Sequence, residues 1–72
     1  MVTFELKEII GDKKVYSYFP EGDVNREGIV CVYANKDVEV IKQAPGDKAG
    51  IYSGHVFGQI FDGVDNGMAA WY

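Results

Sequence analysis

Alternating apolar and polar side chains run through Val2-Thr3-Phe4-Glu5-Leu6-Lys7. A period of two residues places each set on its own face of a β-strand, so this segment predicts a strand with one buried face. A turn comes next at residues 11–13, and a second strand is predicted from Val15 to Phe19, where Pro20 ends it. We expect the two strands to pair as an antiparallel hairpin.

Two more strands are predicted after a polar loop over residues 21–28. The segment from Ile29 to Ala34 is apolar on both faces, which is typical of an inner strand with a neighbour on each side. After a turn at residues 35–37, a fourth strand over residues 38–41 is expected near an edge, because Glu39 and Lys42 discourage further pairing.

A single helix is predicted after the break at residues 44–46. Asp47 is suited to be its N-cap, and the helix is expected to run from about Lys48 to about Asp62 or Val64. At about 100° per residue, its polar side carries His55, Gln59 and Asp62. The apolar side, which we expect to pack on the sheet, comprises Ala49, Tyr52, Val56, Phe57, Ile60, Phe61 and Val64.

The last segment, residues 68–72, is apolar and contains Trp71 and Tyr72. Chain ends fray unless something holds them, so two bulky aromatic side chains here predict a docked tail. We favour a fifth strand beside the first, because Gly67 permits a reversal and the first strand otherwise has an uncovered edge. Docking against a partner chain is the alternative. The predicted fold class is therefore α+β: an antiparallel meander of about four strands, one helix packed on the sheet, and a short C-terminal fifth strand.

The composition indicates one domain over residues 1–72 that relies on aromatic packing. A chain of this length buries only about 60% of the surface that its unfolded form exposes. Its one cysteine, Cys31, cannot form an internal disulfide, and no Cys/His cluster has zinc spacing. The chain compensates with ten aromatic residues (four Phe, five Tyr and one Trp) in a sequence that is 47% hydrophobic. A homodimer would add further burial, and the sequence leaves both states open.

Charge and hydropathy indicate which partners to expect. A net charge of −4 argues against binding to a phosphate backbone, which needs a basic face, so no nucleic acid is expected. No apolar run approaches the length that spans a bilayer, and acidic residues within the first ten positions argue against a signal peptide, so no membrane is expected and the cytoplasm is the expected location. Phosphate-binding glycine motifs are absent, so no cofactor is expected.

Three glycines spaced by four, Gly50, Gly54 and Gly58, lie inside the predicted helix. Each costs a helix about 0.8–1 kcal/mol relative to alanine, so some contact should offset them. We favour close packing of this glycine strip on the sheet, in which case Gly54→Leu would be destabilising. A helix–helix contact across a dimer and a helix that breaks at a glycine are the alternatives.

The sequence offers little that points to catalysis. His55 is the only histidine, and no nucleophile is visibly paired with it, so a solvated surface position is favoured over contact with a ligand or partner. Cys31 lies in the apolar inner strand without a cationic neighbour in sequence, which predicts a buried and unreactive thiol. The loop that begins at Asp23 resembles half of a calcium loop but has Asn35 at its twelfth position, so no metal is expected.

The segment Tyr18-Phe19-Pro20-Glu21-Gly22-Asp23, the Tyr52/His55 pair and the ending Ala70-Trp71-Tyr72 resemble a set of small uncharacterised proteins of Gram-positive bacteria, some of them associated with prophages or mobile elements. The resemblance implies a bacterial cytoplasmic setting. It implies no activity, and no functional residue is carried over from it.

The sequence therefore predicts a non-catalytic protein-interaction module that is able to self-associate, with no enzymatic activity. The residues expected to form contacts are Gly50, Gly54, His55, Gly58, Trp71 and Tyr72. The alternative is a small-molecule or peptide binder at the edge between helix and sheet. A binder needs a pocket of roughly 300 Å³ or more with converging polar groups, whereas an interaction module needs a flat apolar patch.

Overall fold

The structure is a computed structural model, which describes residues 1–71. Its elements are β1 (Val2–Ile10), β2 (Lys13–Pro20), β3 (Gly28–Tyr33), β4 (Val38–Lys42), a 3₁₀ turn (Lys48–Gly50), α1 (Ile51–Phe61) and β5 (Asn66–Ala69). All five strands form one antiparallel sheet in the order β4-β3-β2-β1-β5, with the helix packed on it. The predicted α+β class, the meander and the fifth strand are confirmed.

The position of each strand agrees with the sequence pattern. Both β2 and β3 are inner strands, whereas every residue of the edge strand β4 is exposed. The first two strands are longer than predicted and form a tight hairpin around Gly11, which has a φ of +58° that glycine adopts without strain. A bulge at Lys7 shifts the register between Leu6 and Glu8, so the end of β1 continues beside β2 out to Ile10.

The C-terminal strand β5 pairs with the free edge of β1, with Val2 opposite Ala69 and Phe4 opposite Gly67. It begins at Asn66, earlier than the segment predicted to dock. The side chain of Asn66 also accepts a hydrogen bond from the backbone N–H of Leu6 at 3.1 Å. The end of the chain is thus held by backbone pairing within the molecule, which is the favoured version of the prediction.

The core lies between the helix and the middle of the sheet. It contains the side chains of Val2, Phe4, Tyr16, Tyr18, Val30, Ala44, Val56 and Ala69. Tyr16 and Tyr18 are two residues apart on β2, so both rings point to the helix side, and neither is exposed to solvent. Phe19, between the Tyr18 and Pro20 positions, points to the other face and is half-buried.

Asp47 connects the sheet to the start of the helix. Its buried carboxylate accepts hydrogen bonds from the Tyr18 hydroxyl at 2.7 Å and from the backbone N–H groups of Tyr52 at 2.9 Å and Ser53 at 3.3 Å. The Tyr18 hydroxyl in turn accepts from the N–H of Ala44 at 3.0 Å. Asp47 is therefore not the N-cap residue that the sequence predicted, but its carboxylate still satisfies two of the free N–H groups of the first helical turn.

The helix begins three residues later than predicted. Ala49 and Gly50 have φ values of +59° and +69°, in the left-handed region, so the segment before Ile51 cannot be part of a right-handed α-helix. Asp47 reaches the first turn from outside the helix, and Gly50 occupies the N-cap position itself. Ala49, predicted on the apolar side, is exposed in the 3₁₀ turn.

The helix also ends early, at Phe61, because Gly63 takes a left-handed conformation with φ of +90°. The N–H of Gly63 donates to the carbonyl of Ile60 and the N–H of Val64 donates to that of Gln59, which is a Schellman motif. Residues 65–67, predicted as the terminator, lead into β5 instead. Tyr52, Phe57, Ile60 and Val64 pack against the core as predicted, but Phe61 is half exposed.

Among residues 1–71, no helix is long and apolar enough to cross a membrane.

Candidate binding groove

The helix covers only part of the sheet. It packs mainly on β1, β2 and β5, which leaves the same face of the edge strand β4 exposed. On that open part, Val38 and Val40 pair with Val32 and Val30, respectively, and each of the two β4 valines is 44% exposed. The helix therefore leaves apolar surface of the edge strand uncovered.

A cavity of about 430 Å³, which we term the groove, lies between the C-terminal end of α1 and the sheet. Its apolar surface is formed by Ile60 and Phe61 of the helix, by Tyr16 and Val32 of the sheet, and by Ile9 near the end of β1. Ile9 and Phe61 are 62% and 51% exposed. These two side chains are thus apolar surface that a molecule in the groove would remove from water.

Local chain geometry explains why the groove forms here. The Schellman motif at Gly63 stops the helix at Phe61, and the chain then returns through Asp65 to β5. On the opposite side, the bulge at Lys7 restores the pairing of Ile9 with Lys14, so β1 and β2 extend beyond the end of the helix. The sheet therefore projects past its helical cover.

A polar triad stands beside the apolar surface. The Tyr16 hydroxyl donates a hydrogen bond to Asp65 at 2.7 Å, and the Lys14 Nζ lies 3.5 Å from the other oxygen of the same carboxylate. The hydrogen bond from Tyr16, with a further contribution from Lys14, holds the pKa of the Asp65 carboxyl below its ordinary value. Burial, together with the contact with Asp65, raises the pKa of the Tyr16 phenol. Tyr16 is therefore a neutral donor and Asp65 an ionised acceptor at neutral pH.

Basic residues slightly outnumber acidic ones among the residues that line the groove. Lys13, Lys14 and Lys36 line it, against two carboxylates, Asp12 and Asp65. These are three of the seven basic residues of a chain whose net charge is −4. Within residues 1–71, neither Lys13 nor Lys36 has a carboxylate oxygen within 4.0 Å of its ammonium. With three lysines against two carboxylates, the residues that line the groove have a net charge opposite in sign to that of the whole chain.

The predicted glycine strip does not pack on the sheet. A Cβ added to Gly54 or Gly58 would meet no atom within 4 Å, and both residues are exposed. The interpretation of these glycines as a close contact between helix and sheet is therefore wrong, since their face of α1 is turned to solvent. Gly50 has a separate role, because its φ of +69° forms the entry to the helix. Contact of the strip with a second chain stays a prediction.

His55 and Trp71, two other predicted contact residues, lie against each other. Their rings stack with centroids 3.8 Å apart and planes inclined by 9°. Tyr52 and Trp71 meet in an edge-to-face arrangement with ring centroids 5.4 Å apart. His55 is exposed as predicted, but one face of its ring is covered by the indole. Tyr72, the last predicted contact residue, lies outside the described residues. This aromatic stack belongs to the docked tail and lies outside the lining of the groove.

The remaining candidates for chemistry are engaged in local structure. Cys31 is fully buried, as predicted, and its thiol lies 3.6 Å from an oxygen of Glu39. In the polar loop, the Asp23 carboxylate accepts from the N–H of Asn25 and pairs with Arg26. Within residues 1–71, no three Asp, Glu, His or Cys side chains are grouped so that they could hold a metal ion.

The residues of the groove are not found by sequence reasoning. Tyr16 and Asp65 are separated by 49 positions, and the local pattern marks Asp65 only as part of a helix terminator. Periodicity alone places Phe61 on the buried side of the helix. The one local signal for the groove is Gly63, because glycine commonly ends helices. It indicates that the helix stops before Val64.

No family of known proteins matches the chain, and a search of curated proteins and of solved structures found no similar protein either.

Proposed function

We propose that the protein is a non-catalytic binding module whose ligand lies in the groove between α1 and the sheet. The observation that carries this proposal is a cavity of about 430 Å³ with an apolar floor and three polar side chains at one side. That volume lies within the range of sites for small ligands, which starts near 300 Å³. Converging polar groups beside an apolar surface favour the binder over a module with a flat patch.

The apolar surface supplies a driving force for binding. Each Å² of apolar surface removed from water contributes about 25 cal/mol, and Ile9 and Phe61 keep half or more of their surface in water. A ligand with an apolar body would cover both side chains together with Val32. The polar groups of Tyr16 and Asp65, at one side of the groove, would then fix the orientation of the ligand.

Two features support a binding role without catalysis. His55, the only histidine of the chain, stacks on Trp71 and is absent from the groove lining. Cys31 pairs with Val15 across the strands and lies on the sheet face opposite Tyr16 and Val30. Histidine and cysteine often serve as the base and the nucleophile of an enzyme. Neither His55 nor Cys31 lies beside the proposed ligand.

The proposal is tested by amide NMR with a panel of small aromatic compounds that differ in charge. We expect at least one compound to shift the amide signals of Val32, Ile60 and Phe61 in a saturable manner. Ala34→Trp should abolish this binding, since the exposed Ala34 lines the groove and an indole there would fill it. Val24→Trp, in the exposed loop after β2, is the matched control and should bind like the parent. If the Ala34→Trp protein binds normally, the groove is not the site.

A second candidate function, self-association, is favoured by β4. All five residues of this edge strand are exposed, and Val38, Val40 and Ile41 add apolar side chains beside unpaired backbone groups. A dimer of this kind would dissociate on dilution, and Val40→Lys would leave only monomer in sedimentation equilibrium. A parent protein that sediments as a monomer at all concentrations would eliminate this candidate.

A further inference from the structure

We infer that the ligand of the groove is a small amphipathic anion, namely a carboxylate carried on a flat or linear apolar body. This inference rests on the proposed function and adds the chemical class of the ligand. Three properties of the groove support it. They are the lysines that line it, the two partners that the Asp65 carboxylate already has, and the size of the cavity.

The carboxylate at the site is already satisfied. Asp65 accepts a hydrogen bond from the Tyr16 hydroxyl on one oxygen and faces Lys14 on the other. A cationic ligand would have to displace one of these two partners before it gained a contact with Asp65. The groove therefore offers little to an ammonium or guanidinium group.

The ammonium groups, in contrast, are available. Lys36 is held at the mouth by the β3–β4 turn, in which its N–H donates to the Tyr33 carbonyl at 2.9 Å. The contact between Lys14 and Asp65 is long, at 3.5 Å, and the side chain of Lys14 is about half exposed, so its ammonium can also reach an incoming anion. Lys13 adds no third charge, because it pairs with Tyr33 on the sheet face opposite Tyr16 and its Nζ lies 5.9 Å from the centre of the Tyr33 ring, so the charges that face a ligand are those of Lys14 and Lys36. An anionic head group would meet these charges while its apolar body covered the helix end and the sheet.

The size of the groove favours a small molecule over a segment of a protein. A cavity of about 430 Å³, walled by the single turn of helix at Ile60 and Phe61, matches the low end of the range for small ligands. A ligand with about two fused aromatic rings or a medium-length acyl chain fits this description.

The test compares three probes that share one apolar body: 2-naphthoate, 2-naphthylmethanol and 2-naphthylmethylamine. Amide NMR titrations of the full chain give an affinity for each. We expect the carboxylate to bind about tenfold more tightly than the alcohol, and the amine to bind most weakly, because charge-assisted hydrogen bonds are the stronger ones. Added salt should reduce the preference for the carboxylate and leave the affinity of the alcohol nearly unchanged.

Charge-removal variants identify the side chains responsible. Lys36→Gln and Lys14→Gln should each reduce the affinity for 2-naphthoate severalfold and leave that for 2-naphthylmethanol unchanged. Lys42→Gln, on β4 outside the groove lining, is the matched control and should alter neither. If the alcohol or the amine binds as tightly as the carboxylate, the inference is wrong and the binding function stands. If none of the three probes shifts the amide signals of the groove residues, both the inference and the proposed function fail for ligands with this apolar body.

Discussion

Tyr18 and Gly28 lie opposite each other on β2 and β3, so close that a Cβ on Gly28 would be 2.2 Å from a carbon of the tyrosine ring. The ring covers the glycine directly. It cannot move aside easily, since its hydroxyl is bound between Asp47 and the N–H of Ala44 and its side chain is fully buried. This contact links the middle of the sheet to the loop that starts the helix.

Gly28→Ala is therefore expected to destabilise the protein. The added methyl group must displace either the Tyr18 ring or the β3 backbone, and overpacking of this kind costs about 1–3 kcal/mol. Urea unfolding followed by circular dichroism measures the loss. Gly28→Ala in a Tyr18→Ala background should recover part of the difference, because the clash is then absent. Equal stabilities of the parent and Gly28→Ala proteins would mean that the ring has room to move.

Gly54→Ala is expected to act in the opposite direction. A methyl group there meets no atom within 4 Å, and alanine is favoured over glycine inside a helix by about 0.8–1 kcal/mol. The melting temperature should rise, and Gly58→Ala should produce a similar increase. Gly63→Ala is the contrasting variant, since its φ of +90° strains any side chain and should lower the melting temperature. A decrease with Gly54→Ala that depends on protein concentration would instead place this face of α1 in an interface between chains.

The sequence predicts the fold far better than it predicts the groove. Alternation over Val2 to Leu6 identifies β1, and the apolar end of the chain correctly predicts a strand beside it, although the chain reverses at Gly63 and Gly67 is itself part of β5. Both are local signals, and general rules of strand pairing are enough to convert them into a sheet. The glycine strip shows the limit of this reasoning, because the helix-propensity cost of Gly54 is the same whether that face meets the sheet or water.

The groove depends on features that no local pattern contains. Its polar edge joins Tyr16 on β2 to Asp65 beyond the helix, and their 2.7 Å contact exists only after β5 has docked on β1. Its opening depends on where α1 stops, and the Schellman turn at Gly63 shortens the helix enough to leave Phe61 half exposed. Periodicity alone predicts that Phe61 is covered, since it gives the direction of a side chain but not the extent of the surface beneath it.

The Tyr16–Asp65 contact should make stability depend on pH in the acidic range. Because the pKa of Asp65 is lower in the folded chain, its ionised form stabilises the fold above its ordinary pKa, and this contribution is lost as the pH falls through the lowered value. We expect the carboxyl carbon of Asp65 to titrate below the usual value near 3.9 in an NMR titration from about pH 2 to about pH 6. Tyr16→Phe should raise the pKa of Asp65 toward that ordinary value and weaken the acid dependence of stability.

Tyr33→Phe is the control for this titration, because the Tyr33 hydroxyl donates to Glu39 and has no hydrogen bond to Asp65. It should leave the titration of Asp65 unchanged. An unaltered pKa of Asp65 in the Tyr16→Phe protein would show that Lys14, and not the phenol, is the main cause of the shift.

Trp71 fastens the end of the chain to the helix. Its indole stacks on His55 and meets Tyr52 in an edge-to-face arrangement, so Trp71→Ala removes two aromatic contacts and the apolar burial they accompany. We expect a loss of about 1–3 kcal/mol, measured by urea unfolding, that does not change with protein concentration, since β5 pairs with β1 of the same chain. His55→Ala removes only the stacked partner and should cost less, and the double variant should show a coupling of about 0.5–1.5 kcal/mol between the two rings. Dissociation into folded monomers on Trp71→Ala would show instead that the indole lies at an interface between chains, and an unchanged stability would show that the tail is not fastened by this residue.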